Sequence, residues 1–214
     1  LSVVADLIVT DPPYGVDYQS GKRRHQWEKI KGDHSSDLAS EVIGLSLGKL
    51  RRGRHIYTFG PNVFNGHSVA SPMQLVWDKG LFTMGNLEIP WGKSMEEVWF
   101  GVHEISKANR EKGYGKGAAR LRRGSVLRVQ RIQSAAATKH PTEKPVPLLM
   151  EMIESSSLRG ELVLDPFAGV ASTGVAATLC GRRSISIEVE SAYVETGVER
   201  LKRAFEIYKM MEKV

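Results

Sequence analysis

Two short apolar runs constrain this chain most. Leu7-Ile8-Val9-Thr10 near its start and Leu162-Val163-Leu164 near its end both run directly into an Asp-Pro step, Asp11-Pro12-Pro13 and Asp165-Pro166. Proline has no amide donor for a strand ladder, so each run reads as a buried strand stopped at its carboxyl end. The chain between and after them alternates. Ser36 to Leu50 reads as a helix closed by Gly53, and His55–Phe59, Leu75–Trp77 and Glu97–Phe100 read as strands. Pro145 suits a helix's first turn, with Val146, Leu148, Leu149, Met152 and Ile153 as its inner side. A further helix runs to about Cys180 with Gly181 as its stop, and Ser184–Glu188 is another strand. A last helix carries Val194, Val198, Leu201, Phe205 and Tyr208 on one face, and these are expected in the core, as are Trp77, Trp91 and Trp99. No repeat is visible. Strand–helix alternation predicts an α/β fold: an open, mostly parallel sheet with helices on both faces and ligands at the strands' carboxyl ends.

At 214 residues the chain reads as a single domain, large enough to bury roughly 70% of its unfolded surface without staples. Cys180 is the only cysteine, which excludes an internal disulfide and a multi-cysteine zinc site; it is expected to be a buried structural thiol. The six histidines show no ligand spacing, so no metal is expected. No signal peptide is visible, and no apolar run approaches the ~20 residues a membrane span requires, so a cytoplasmic protein is the expectation.

Charge is informative by place. Lys and Arg number 30 against 24 acids, a net +6. Between Lys107 and Arg131 nine basic residues face only Glu111, which is 9 − 1 = +8 and leaves 6 − 8 = −2 for the rest. This stretch, with Gly113, Gly115, Gly117 and Gly124, reads as a basic insertion at about 101–138, with Arg120, Arg122 and Arg123 its densest part. It is either a solvated loop or an arm that gains free energy by releasing counterions from nucleic acid. A second basic group, Lys22, Arg23, Arg24, Lys29 and Lys31, surrounds Trp27. It reads equally as an ordinary surface loop or as a contact to a nucleic-acid ligand.

Both strand ends carry unusual chemistry. Asp11-Pro12-Pro13-Tyr14 delivers an acid, a fixed carbonyl and an aromatic plane to one point. Two acceptors and a stacking ring suit an exocyclic amine on a base, although the tetrapeptide alone would also serve as a capped turn. Asp165-Pro166-Phe167-Ala168-Gly169-Val170-Ala171-Ser172-Thr173-Gly174 is a loop of small residues between a strand and a helix. Glu188 ends the next strand 188 − 165 = 23 residues later, close to the spacing of the ribose-binding acid in nucleotide-binding βαβ units. There is no Walker lysine, so a nucleoside without pyrophosphate fits better than a nucleotide.

Together these motifs resemble those of the DNA amino-methyltransferases that use S-adenosylmethionine. The catalytic signature [D/N/S]-P-P-Y is matched by Asp11, Pro12, Pro13 and Tyr14. The signature H-P-T-x-K-P is matched by His140, Pro141, Thr142, Lys144 and Pro145. The cofactor loop D-P-F-x-G falls on Asp165, Pro166, Phe167 and Gly169, and E-x4-Y on Glu188 and Tyr193. A catalytic motif ahead of the cofactor motif is the circularly permuted order of the beta class, with a Rossmann-like sheet. The resemblance implies that Asp11 and the Pro12 carbonyl hold the target amine while Tyr14 stacks on a base flipped from duplex DNA. It also implies that Phe167, Gly169 and their loop neighbours Asp165, Ala168, Ser172 and Thr173 hold S-adenosylmethionine. Glu188 would take the ribose, and His140, Thr142 and Lys144 would lie near the methionine end. Arg23, Arg24, Trp27, Arg120, Arg122 and Arg123 are the expected DNA contacts.

An aspartate in the first position leans toward adenine N6, with cytosine N4 as the alternative. A catalytically weak DNA-binding relic is the rival from another class. A homodimer and a cognate restriction endonuclease are the partners the resemblance admits besides double-stranded DNA. The chain departs from the family pattern at Ala171, where a second glycine is usual and a Cβ disfavours positive φ. The strand and adenine-contacting acid expected ahead of the catalytic motif also do not precede Leu1.

Overall fold

The computed structural model describes residues 3–13, 36–81, 88, 90–104, 111, 121–132 and 143–213. Tyr14, Arg23, Arg24, Trp27, Arg120, His140 and Thr142 lie outside the described residues. Seven strands form one sheet: β1 (Ala5–Thr10), β2 (Leu50–Phe59), β3 (Val69–Asp78), β4 (Met95–His103), β5 (Val126–Arg128), β6 (Leu162–Asp165) and β7 (Arg183–Ser186). Their order is β5-β3-β4-β2-β1-β6-β7. Pairs β1–β2, β1–β6, β6–β7 and β3–β5 are parallel, and β4 alone runs antiparallel to its neighbours β2 and β3. The helices are α1 (Ser36–Leu47), α2 (Val146–Ser156), α3 (Ser172–Leu179) and α4 (Ser191–Met211).

Every residue of β1 is buried, as the apolar run requires of an inner strand covered on both faces. Alternate side chains point to opposite faces. Leu7, Val9, Tyr57 and Phe59 pack with Leu148, Leu149, Met152 and Ile153 of α2 and with Ala176 and Ala177 of α3. Ala5, Ile8, Ile56 and Leu164 pack on the other face with Ile43 and Leu47 of α1. Cys180 is buried in the first of these layers, and burial pushes its thiol up to about 11.

Three expectations need correction. The first helix stops at Leu47, and Leu50 already opens β2, with Gly53 at φ 76° inside that strand rather than closing the helix. Trp91 is 83% exposed in the β3–β4 connection, whereas Trp77 is buried and donates from Nε1 to the Val129 carbonyl at 2.7 Å. On α4 the buried residues are Gly197 and Ala204, while Val194, Val198 and Phe205 are exposed. The helix lies close to the body through its two small residues, with Leu201 half-buried against Gly174 and Tyr208 half-buried beside Arg159, while the other three apolar residues of the pattern are turned aside. The stretch of the expected basic insertion also holds regular structure. Residues 101–103 close β4, and Val126–Arg128 is β5, an edge strand whose Leu127 is buried.

Candidate active site

Strand direction determines what meets at the upper edge of the sheet. β1, β2, β6 and β7 all end there, so Asp11, Phe59, Phe167 and Glu188 are delivered to it. β3 also ends there and antiparallel β4 begins there, which adds Lys79 and Glu96.

Lys144 is the hub of the charged cluster beside Asp11. It immediately precedes Pro145, the N-cap of α2, and is only 8% exposed. Its Nζ donates to the Asp11 carboxylate on one side and lies 3.0 Å from Glu96 Oε1 on the other, 4.9 Å from the centre of the Phe59 ring. The second Glu96 oxygen pairs with Lys79 Nζ at 2.8 Å. A buried ammonium is costly unless it is paired and hydrogen-bonded. Burial works against the Lys144 charge, but Asp11 and Glu96 outweigh it and hold the ammonium's pKa above the ordinary lysine value. Burial would likewise raise the Glu96 carboxyl, yet Lys144 and Lys79 hold it below the usual range. Two anions and two cations thus form one chain, Lys79–Glu96–Lys144–Asp11.

The loop after β6 forms the second half of the edge. Asp165 is 4% exposed and faces inward: its Oδ1 accepts from Thr10 Oγ1 at 2.7 Å and from the Phe167 amide at 3.1 Å. Burial pushes its carboxyl up to about 6, against hydrogen bonds from Thr10 and Thr173. Because Thr10 directly precedes Asp11, this bond ties the two loops together. Gly169 and Ala171 both have positive φ, 51° and 60°. A left-handed alanine costs roughly 1–2 kcal/mol. The position therefore has the conformation for which the usual glycine is suited, while its Cβ points at α4. A Cβ built on Gly197 would stand 3.1 Å from it, so glycine at 197 makes room for alanine at 171. Gly174 allows α3 to approach β7 in the same way, since its Cβ would meet Ser186 Oγ at 2.9 Å.

Glu188 reaches back across this loop. Its Oε2 accepts from the Gly169 amide at 2.8 Å, and its Oε1 accepts from the amides of Val189 and Glu190 at 2.8 and 2.9 Å. A carboxylate has about four acceptor sites, so three amides leave capacity for a further donor such as a hydroxyl. Ser172, Thr173 and Ala168 are buried within the loop, and Phe167 is half-buried at its rim. Ser172 Oγ lies 3.4 Å from Glu143 Oε1 and accepts from Arg200 Nη1 at 3.1 Å. Arg200 also donates to Glu143 and, at 2.6 Å, to the Val170 carbonyl.

The structure therefore brings Asp11, Pro12, Lys144, Asp165, Phe167, Gly169, Ser172, Thr173 and Glu188 to one edge. Lys144, expected beside a cofactor's methionine end, is held on Asp11. Glu96, Lys79, Glu143 and Arg200 went unforeseen. Glu143 occupies the unspecified position of H-P-T-x-K-P, and the others lie on elements with no motif, so only pairing in space reveals them. Of the expected nucleic-acid contacts, Arg122 and Arg123 are exposed, and Arg123 lies 3.3 Å from Glu154 of α2. Among the described residues no cluster of potential metal ligands occurs, and no helix is long and apolar enough to cross a membrane.

Residues 62–199 match the family model described as DNA methylase, N6_N4_Mtase. An Escherichia coli (strain K12) protein named "Putative methylase YubD" is 31% identical over 198 residues, covering 92% of this chain and 81% of YubD. The DNA adenine methyltransferase YhdJ of the same organism is 50% identical over 62 residues, 29% of this chain and 21% of YhdJ. The crystal structure of the M1.HpyAVI–SAM complex superposes with a TM-score of 0.68 at 21% identity, over 93% of this chain and 89% of that one.

Proposed function

Because the chain belongs to the N6/N4 DNA methylase family, whose members are S-adenosylmethionine-dependent DNA amino-methyltransferases, we propose that it methylates adenine N6 in double-stranded DNA. The observation that carries this reading is Asp11, fixed by buried Lys144 at the end of an inner strand, one strand away from the left-handed glycine loop. The loop's donor and acceptor set suits the cofactor: a cradle at Gly169, spare acceptor capacity on Glu188, a half-buried ring at Phe167, and no phosphate-binding lysine. S-adenosylmethionine supplies a methyl group on a sulfonium, whose sulfur keeps the electron pair when the methyl is displaced.

This chain's own residues orient the acceptor. The Asp11 carboxylate and the Pro12 carbonyl accept from the two amine hydrogens, which aims the nitrogen lone pair at the methyl carbon and stabilises the positive charge that develops on nitrogen; the N–H proton that the methylated nitrogen then loses is released to solvent through the Asp11 carboxylate. Tyr14 stacks on the extruded base. No side chain forms a covalent intermediate, and buried Cys180 belongs to the core. Adenine is favoured over cytosine by aspartate in the first motif position and by the 50% identity to an adenine methyltransferase over 62 residues. The basic stretch supplies DNA contacts, at Arg120, Arg122 and Arg123, with Arg23, Arg24 and Trp27 as a second group. Asp11→Ala should lower methyl transfer to DNA by on the order of 10²–10³-fold or more. It also deprives the buried Lys144 ammonium of one of its anions and should lower the unfolding midpoint, so transfer is compared at a temperature where both proteins are folded. Transfer within tenfold of the parent would sink the assignment.

A further inference from the structure

We propose that Glu96 is a positioning residue for the reaction: it holds Lys144, and through Lys144 the Asp11 carboxylate, in the orientation that receives the target amine. This rests on the functional reading above and names a part of that site which no sequence motif contains. Lys144 is 8% exposed and bonded to Asp11, with Glu96 at 3.0 Å on its other side. If Asp11 were its sole anion, the ammonium would settle wholly on that carboxylate and compete with the amine for its lone pairs. Glu96 supplies a counterweight. Its own position is set from two directions, by β4, of which it is the second residue, and by Lys79 at 2.8 Å. Lys79 follows β3 directly, and its amide donates to the Ser94 carbonyl at 2.9 Å, so the connected strands form one frame. The ammonium is therefore located by the β3–β4 pair as well as by α2, and Asp11 inherits that placement. The four charges sum to zero, so the arrangement can be buried without leaving an uncompensated ion.

The test is a double-mutant cycle with Glu96→Gln, Lys144→Met and the double variant, read as kcat and KM for both substrates. Glu96→Gln keeps the side chain's size and removes its charge. It should lower kcat about ten- to a hundredfold, since misplacing a reacting group by ~1 Å costs up to ~10²-fold, with both KM values within about twofold. In the Lys144→Met background the same change should alter kcat by less than about twofold, because the path to Asp11 is already cut. Equal losses in both backgrounds, or an unchanged kcat for Glu96→Gln, would overturn the proposal. Should Lys144→Met fail to fold, Lys79→Met takes its place: it should lower kcat in the same direction at unchanged KM, and an unaltered kcat would refute the relay. A parent that transfers no methyl group refutes instead the functional reading. The crystal structure of Glu96→Gln then decides for the positioning role: Asp11 should turn from its parental orientation with Lys144 drawn onto it, and an unmoved carboxylate would contradict it.

Discussion

Asp165 is a carboxyl group whose environment works against its charge. It is 4% exposed, and its folded pKa stands at about 6 against an ordinary 3.8. As pH rises from about 4 to about 6 the unfolded chain loses this proton before the folded chain does, so this group's contribution to folding stability falls across that window and is flat above it. At 1.36 kcal/mol per tenfold change the loss is roughly 3 kcal/mol. Asp165→Asn keeps an oxygen that accepts from Thr10 and the Phe167 amide but cannot ionise. In urea unfolding at a series of pH values, its stability relative to the parent should rise by about that amount between pH 4 and 6.5. A constant difference would contradict the placement of an ionisable acid there. Asp165 was legible because a motif names it, as are Glu188 and Lys144. Glu96 and Arg200 were not legible: each acquires its role from a partner far away in sequence, Lys144 and Glu143, and nothing local distinguishes them from solvated charges.

Helix α4 shows where periodicity misleads. The pattern Val194, Val198, Leu201, Phe205, Tyr208 satisfies a helical face, yet the fully buried residues are Gly197 and Ala204, and of the pattern only Leu201, against Gly174, and Tyr208, bonded to Arg159, are half-buried. Apolar periodicity weighs large side chains, whereas close approach is permitted by small ones, and Gly197 lies against the Val170–Ala171 backbone. Arg200 on the same side reaches the Val170 carbonyl, so the helix is held to the loop after β6 by polar bonds as well as by packing. Ala204→Leu should therefore cost ~1–3 kcal/mol by overpacking. Phe205→Ser should stay within about 0.5 kcal/mol of the parent, as exposed positions do. Chemical denaturation of both variants checks the register, and a large loss for Phe205→Ser with none for Ala204→Leu would reverse it. The other elements were read more easily. Buried parallel strands announce themselves as apolar runs, and β1 and β6 end where their Asp-Pro steps stop them. Three-residue β5 was missed because its basic neighbours dominate the local composition.

On the scale of the whole molecule, the proposed account assigns the chemistry to the sheet edge and DNA binding to the basic stretch. The sheet order, with β1 beside β6 and β6 beside β7, brings Asp11 near the start of the chain to the same edge as the loop after β6 and Glu188. Excess positive charge is confined to residues 107–131, since the remainder sums to −2. If Arg120, Arg122 and Arg123 meet phosphates, replacing all three with alanine should flatten the plot of log DNA affinity against log salt by about 2–3 units, at ~0.9 per contact. Parallel plots would remove the arm from the interface. The central claim is chemical and is tested most directly by the product. DNA incubated with the protein and isotopically labelled S-adenosylmethionine is digested to nucleosides, and the labelled nucleoside is identified by mass. The account predicts N6-methyldeoxyadenosine from the parent and almost none from Asp11→Ala. Label on N4 of deoxycytidine would contradict the adenine assignment, and equal label from parent and Asp11→Ala would contradict the site itself.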